Sequence, residues 1–156
     1  MNESSSSDNG DATAGFSLID LRCEYQHNPL GLDTLQPRFA WRLSAHDAAL
    51  RDLAQSAFRL QVATSPAFDA ASLLWETGKL LADASVQRAY GGRALAYATR
   101  YYWRVQAWDA ADRASAWSEV AHFETALAPE ARRAQWIAPD LAEQVAPAPV
   151  VRVPFL

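Results

Sequence analysis

The side chains best suited to chemistry in this chain are aromatic. "RYYWRVQAW", residues 100–108, packs four rings into nine positions. Rings gathered on one surface can stack on a sugar, whereas rings on the other face of a strand build a core. Alternation along an extended chain puts Tyr101, Trp103, Val105 and Ala107 on one face and Tyr102, Arg104, Gln106 and Trp108 on the other. With Trp117, which follows a short turn, Tyr102 and Trp108 are the candidate sugar contacts. Other constellations carry less. Asp109 and Asp112 bracket a turn, and Glu119 and Glu124 lie on the returning segment. Asp suits turns through its own backbone hydrogen bonds, and two carboxylates fall short of the 6–8 oxygens that calcium takes. Cys23 and His27 have a metal spacing only on a helix, yet Asn28-Pro29 follows at once. A small buried thiol and a surface imidazole are expected there. His46 and His122 have no triad partners. Gly91–Gly92 lacks the Lys-Ser/Thr of a phosphate loop. No catalytic, cofactor or metal-binding residue is therefore assigned.

The elements that must position these side chains read as short strands. "FSLIDLRCEY" alternates with period two, setting Leu18, Asp20, Arg22 and Glu24 against Ile19, Leu21, Cys23 and Tyr25. "QHNPLGLDTLQP" is a loop. "RFAWRLS" places Phe39, Trp41 and Leu43 on one face, and "SAFRLQVATS" does the same with Phe58, Leu60 and Val62. "SPAFDAASLL" resembles a short helix capped by Ser65 with Pro66 at its first position. "LLWETGKLL" reads as strand, Thr-Gly turn, strand. "AADR" is a tight turn from which "SAWSEVAHFET" returns as a hairpin partner. About seven short strands with a turn signal every ten residues or so predict an all-β fold, an antiparallel β-sandwich of immunoglobulin size. The intervals leave no room for crossover helices.

The bulk numbers agree. The chain has 156 residues, half of them apolar, with six Trp, five Tyr and six Phe and a formal charge of −4. A core of ordinary size needs no disulfide, and one cysteine permits no internal pair. The acidic balance argues against nucleic acid, and no apolar run approaches the roughly 18 residues of a membrane span. Residues 1–15, rich in Ser, Asn, Asp and Gly, predict a disordered leader. They lack the basic start and apolar stretch of a secretory signal, so the location expected is cytoplasmic. Residues 16–127 form the sandwich. Residues 128–156 change texture, with five Pro and much Ala. "AQWI" looks like the entry to a new unit, and "VVRVPFL" like the opening strand of an incomplete β-domain. The expectation is the front piece of a longer polypeptide.

Leu95 and Tyr101, six apart in "LAYATRYYWRVQA", resemble the tyrosine corner of fibronectin type III and immunoglobulin-like sandwiches, where the Tyr hydroxyl bonds back to the turn backbone. That resemblance turns Tyr101 and Trp103 inward, and Trp41 with them, as structural residues. "SAWS", residues 115–118, resembles the second half of the Trp-Ser-x-Trp-Ser box of cytokine-receptor fibronectin domains, which implies that Arg104 stacks on Trp117, Trp108 or both. Wider still, "LRCEYQHNPLGLDTLQPRFAWRL", "TRYYWRVQAWDAADRASAWSEVAHFETAL" and "AQWI" together resemble the N-terminal immunoglobulin or fibronectin III-like domain of bacterial α-L-rhamnosidases of glycoside hydrolase family 78. The fit runs from about residue 17 to 138. It departs at Cys23, at Gln26–His27, and at "DAADR", where a glycine often sits. The resemblance implies a parent enzyme that hydrolyses terminal α-L-rhamnose from rhamnosides on an (α/α)6 barrel, inverting with two glutamates. That barrel is not in these residues. A non-catalytic accessory module is implied, with the neighbouring β-domain and the barrel as its partners and rhamnose-containing glycosides as the parent enzyme's substrates. A carbohydrate-binding module built on Tyr102, Trp108 and Trp117 is the first alternative, and a protein-recognition fibronectin-like domain the second.

Overall fold

The computed structural model describes residues 13–49 and 53–133. Eight strands follow in order: β1 Phe16–Cys23, β2 Arg38–Ala45, β3 Ala57–Ala63, β4 Leu73–Glu76, β5 Leu80–Leu81, β6 Arg88–Ala89, β7 Arg100–Trp108 and β8 Ala121–Glu124. They form two antiparallel sheets. One runs β1-β2-β6; the other runs β4-β3-β7-β8, with β5 also on β3. Alternating apolar side chains drive the two inner faces together. Phe39 and Trp41 of β2 meet Phe58, Leu60 and Val62 of β3 and Trp103 and Val105 of β7, all at most 2% exposed. Their rings touch across the gap: Phe39–Trp103 centroids lie 4.7 Å apart and Trp41–Phe58 5.2 Å.

One buried polar side chain ties the sheets. Gln55, only 3% exposed, accepts from Trp41 Nε1 at 2.9 Å. Its amide nitrogen donates to the Ala82 and Ala84 carbonyls at 3.2 and 3.1 Å. A buried indole N–H is thus satisfied within the core.

At the turn before β7, the Tyr101 hydroxyl accepts from the Ala96 amide at 2.8 Å, beside Leu95, which is 4% exposed. Tyr101→Phe leaves that amide without its acceptor. We expect a loss of about 1–2 kcal/mol in urea unfolding at an unchanged m-value. A loss below about 0.5 kcal/mol would mean that the bond does little.

Three expectations need correction. In β1 the strict alternation fails. The pairing with β2 slips between Ile19 and Arg22, and Asp20 has φ 53°. This bulge inserts a residue and reverses the faces. Leu18 and Cys23 are therefore both buried, while Ile19 is 43% and Tyr25 59% exposed. Residues 65–72 form no helix. Ser65 Oγ accepts only from Ala67 N, and Asp69 Oδ1 accepts from the Ala71 and Ser72 amides, so two polar turns compete successfully with a helix. "LLWETGKLL" is strand, Thr-Gly break, strand as expected, and β4 and β5 both pair with β3. Gly78, at φ +64°, and Thr77, whose amide reaches the Leu60 carbonyl at 3.0 Å, interrupt what is a single edge. Finally, packing begins inside the expected leader: Ala14 is 1% exposed and donates to the Ala114 carbonyl at 2.9 Å. Residues 1–12 and 134–156, which hold the rest of the leader, "AQWI" and "VVRVPFL", lie outside the described residues. Pro129–Ala131 form one 3-10 turn, and Arg132 beyond it pairs with Asp33.

Candidate functional site

The outward face of β7 carries Tyr102, Arg104, Gln106 and Trp108, all half-buried. Register with β3 sets Gln61 opposite Arg104 and Arg59 opposite Gln106, and β8 sets His122 opposite Tyr102. Two hydroxyls from "SAWS" hold the next segment on β7. Val105 N donates to Ser118 Oγ and Ala107 N to Ser115 Oγ, both at 3.1 Å. The Ser118 and Ser115 amides donate back to the Val105 and Ala107 carbonyls, both at 2.8 Å. Trp117, between the serines, is thereby laid over the outer face.

There the aromatic faces already have neighbours. The Arg104 guanidinium lies 4.4 Å from the Trp117 ring centre and 4.3 Å from that of Phe68. Its Nε donates to Gln61 Oε1 at 2.9 Å. Arg59 stands 5.6 Å from the same Trp117 ring and pairs with Glu76. Lys79 Nζ sits 4.8 Å over Trp108, and the Tyr102 and His122 ring centres are 6.4 Å apart. Burial first, and then the charge of Arg59, depress the Arg104 pKa below its usual value. The ring faces offset that repulsion as cation–π partners. Among the described residues, the face is a stack of cations on rings.

Tyr101, Trp103 and Trp41 point into the core and Arg104 outward; Tyr102, Trp108 and Trp117 share the outer face but form no bare platform. Two members of this face were not singled out in the sequence. Gln61, 6% exposed, and Phe68, 9% exposed, are buried on what period two reads as the solvent side. The "SPAF" turn folds Phe68 over them, and nothing in the strand pattern signals it. Trp117 also borders a groove of about 550 Å³ between β1 and residues 116–121. Several of its polar groups are engaged: Asp20 pairs with Arg22 and His27, each at 3.0 Å, and Asn28 Oδ1 accepts from His122 N at 2.9 Å.

The remaining candidates have structural roles. Asp109 accepts from the Ala111 and Arg113 amides, each at 2.9 Å, and pairs with Arg113 at 2.7 Å. Asp112 pairs with Lys79. Cys23 is buried, and burial pushes its thiol pKa up strongly. His46 meets the Ser17 hydroxyl at 2.6 Å. Among the described residues no three His, Cys, Asp or Glu side chains converge as metal ligands would. A Cβ on Gly92 would collide with the Tyr90 hydroxyl and Trp75 Cβ, which explains a glycine there without a phosphate.

The profile of Rha78A-like, N-terminal immunoglobulin domains matches residues 18–129. The chain belongs to this family. The Rha78A-like domain is 38% identical over 134 residues to an α-L-rhamnosidase of Streptomyces avermitilis, covering 85% of this chain and 12% of that protein. An α-L-rhamnosidase of Formosa agariphila is 32% identical over 114 residues, 70% of this chain and 12% of its own length. Among solved structures, that of the Streptomyces avermitilis α-L-rhamnosidase complexed with L-rhamnose superposes with a TM-score of 0.65 at 37% identity, over 70% of this chain and 10% of that one. The α-L-rhamnosidase from Dictyoglumus thermophilum superposes with a TM-score of 0.66 at 34% identity, over 74% and 13%. The chain thus spans about one-eighth of the relatives it matches.

Carboxylates around the sandwich set its acid response. Hydrogen bonds from the Arg38 side chain hold Glu24 below the usual carboxylate range, and those from Arg59 do the same for Glu76. The Ser72 amide lowers Asp69. Burial raises Asp109, but hydrogen bonds from Arg113 outweigh it. A folded pKa below the unfolded one means stability present above the unfolded value and lost as pH falls through the folded one. The melting temperature should therefore hold from neutral to about pH 5 and drop below about pH 4. Glu24→Gln with Glu76→Gln should flatten that acid limb. An unchanged limb in the double variant would place the acid sensitivity elsewhere.

Proposed function

We propose that this chain is a non-catalytic accessory β-sandwich of a larger α-L-rhamnosidase, packing against neighbouring domains and helping to order the enzyme. The parent protein would hydrolyse terminal non-reducing α-L-rhamnose on a catalytic barrel outside these residues. The carrying observation is the alignment with about 12% of each of two α-L-rhamnosidases. The cation-covered faces of Trp117 and Trp108 support a structural use of the aromatics, since a stacking sugar would need those faces free. The test is a titration of the chain with L-rhamnose and rhamnosides, following Trp fluorescence, alongside an assay for p-nitrophenol release from the α-L-rhamnoside. Neither a saturable change nor activity is expected. Saturation at or below the millimolar range would replace the structural reading with a carbohydrate-binding one, and release abolished by a carboxylate substitution in this chain would place catalysis here.

A further inference from the structure

Three segments meet at the end of the sandwich where β8 finishes. Residues 124–126 run between residues 29–32 on one side and 96–99 on the other. Leu32 N donates to the Glu124 carbonyl and Ala126 N to the Leu32 carbonyl, both at 2.8 Å, and Ala98 N reaches the Ala126 carbonyl at 2.8 Å. Thr125, 3% exposed, fixes this end from inside. Its hydroxyl donates to the Ala96 carbonyl at 2.7 Å and accepts from Thr99 N at 3.1 Å. Yet each segment leaves a large apolar side chain in water: Leu30 is 68%, Leu127 55% and Tyr97 38% exposed. The β7–β8 register, with Arg100 opposite Glu124, brings Tyr97 beside Leu127 when it is carried on through the Ala98–Ala126 bond.

The chain is still held here after β8. Beyond Leu127 it takes one 3-10 turn, Pro129–Ala131. Arg132 then returns to the same end: its Nε donates to the Leu127 carbonyl at 3.3 Å, and its guanidinium pairs with Asp33. The next large apolar side chains are Trp136 and Ile137 of "AQWI", outside the described residues. Four residues of extended chain span at most about 14 Å, so the tether from Arg132 keeps Trp136 close to this end.

We propose that this end of the sandwich is a docking face for residues 134–137, with the Trp136 indole lying across Leu127 and Tyr97. The short tether selects this segment as the occupant, and the contact takes apolar surface of all three side chains out of water. The sandwich is thereby joined to the residues that follow by a stiff joint rather than a free linker. The inference goes beyond the α-L-rhamnosidase reading: it needs only residues of this chain and stands whether or not that reading holds.

The experiment is NMR on the full chain, with the Trp136 indole assigned by Trp136→Phe. Nuclear Overhauser effects are expected between the Trp136 ring and both the Leu127 methyls and the Tyr97 ring. Leu127→Ser combined with Tyr97→Ser should abolish them and speed exchange of the Trp136 indole N–H by about tenfold or more, with an unchanged Trp117 signal showing that the sandwich is intact. A Trp136 ring with no such contact, contacts instead to another face such as Ile19 or Val120, or exchange unaffected by the double variant would each overturn the proposal. Contacts seen only between differently labelled copies would overturn it too, since a second copy would then be the occupant. Should the double variant not fold, the contacts in the native chain decide alone.

Discussion

Trp117→Ala should lower the unfolding free energy by about 3 kcal/mol. The ring is half-buried, and its loss exposes the side chains it covers, at about 25 cal/mol per Å² of apolar area. It also removes the face within reach of two guanidinium groups, Arg104 at 4.4 Å and Arg59 at 5.6 Å, worth about 0.5–2 kcal/mol as cation–π contacts. Arg104 then keeps the Phe68 ring but loses half of its aromatic sandwich. Two checks separate burial from the stack. Trp117→Phe should recover part of the loss. Arg104→Met, which keeps the hydrophobic stem, should couple to Trp117→Ala by about 1 kcal/mol in a double-mutant cycle. A cost of Trp117→Ala below about 1 kcal/mol would show the stack to be incidental.

Gln55→Ala should be of similar size, about 3 kcal/mol, for a different reason. Removing one side chain strips three partners: the Trp41 indole N–H and the carbonyls of Ala82 and Ala84. The indole is the serious orphan, because Trp41 is 1% exposed and a buried unsatisfied donor costs about 1–3 kcal/mol. The void left by a residue 3% exposed adds to this. Trp41→Phe removes the donor itself, so Gln55→Ala should cost less in that background. Additive losses would mean that the hydrogen bond carries none of the effect. Trp103 makes the control. Its Nε1 is buried without a partner among the described residues, so Trp103→Phe gives up indole volume but no hydrogen bond. Its penalty should lie below that of Trp41→Phe.

Much of this domain was legible before any coordinate. The inward set Tyr101, Trp103, Val105 and Ala107 follows from period two plus the Leu95–Tyr101 spacing, because a strand's pleat is a local property. The 109–113 turn was legible for the same reason: Asp109 caps its own loop. The family could be read from the order and spacing of several motifs. What the chain alone could not settle are the places where a distant backbone chooses. The face of β1 depends on one extra residue at Asp20, and only the pairing with β2 decides where that residue goes. The two short strands on either side of Gly78 were legible, but not their partner: both lie along β3, because an edge offers hydrogen bonds wherever it is open. On the outer face, Trp117, Arg104 and Gln61 stand at three separate points of the sequence, and the turn that carries Phe68 closes over them. Strand alternation says which way a side chain points, but only the tertiary structure says whether water or another ring is waiting there.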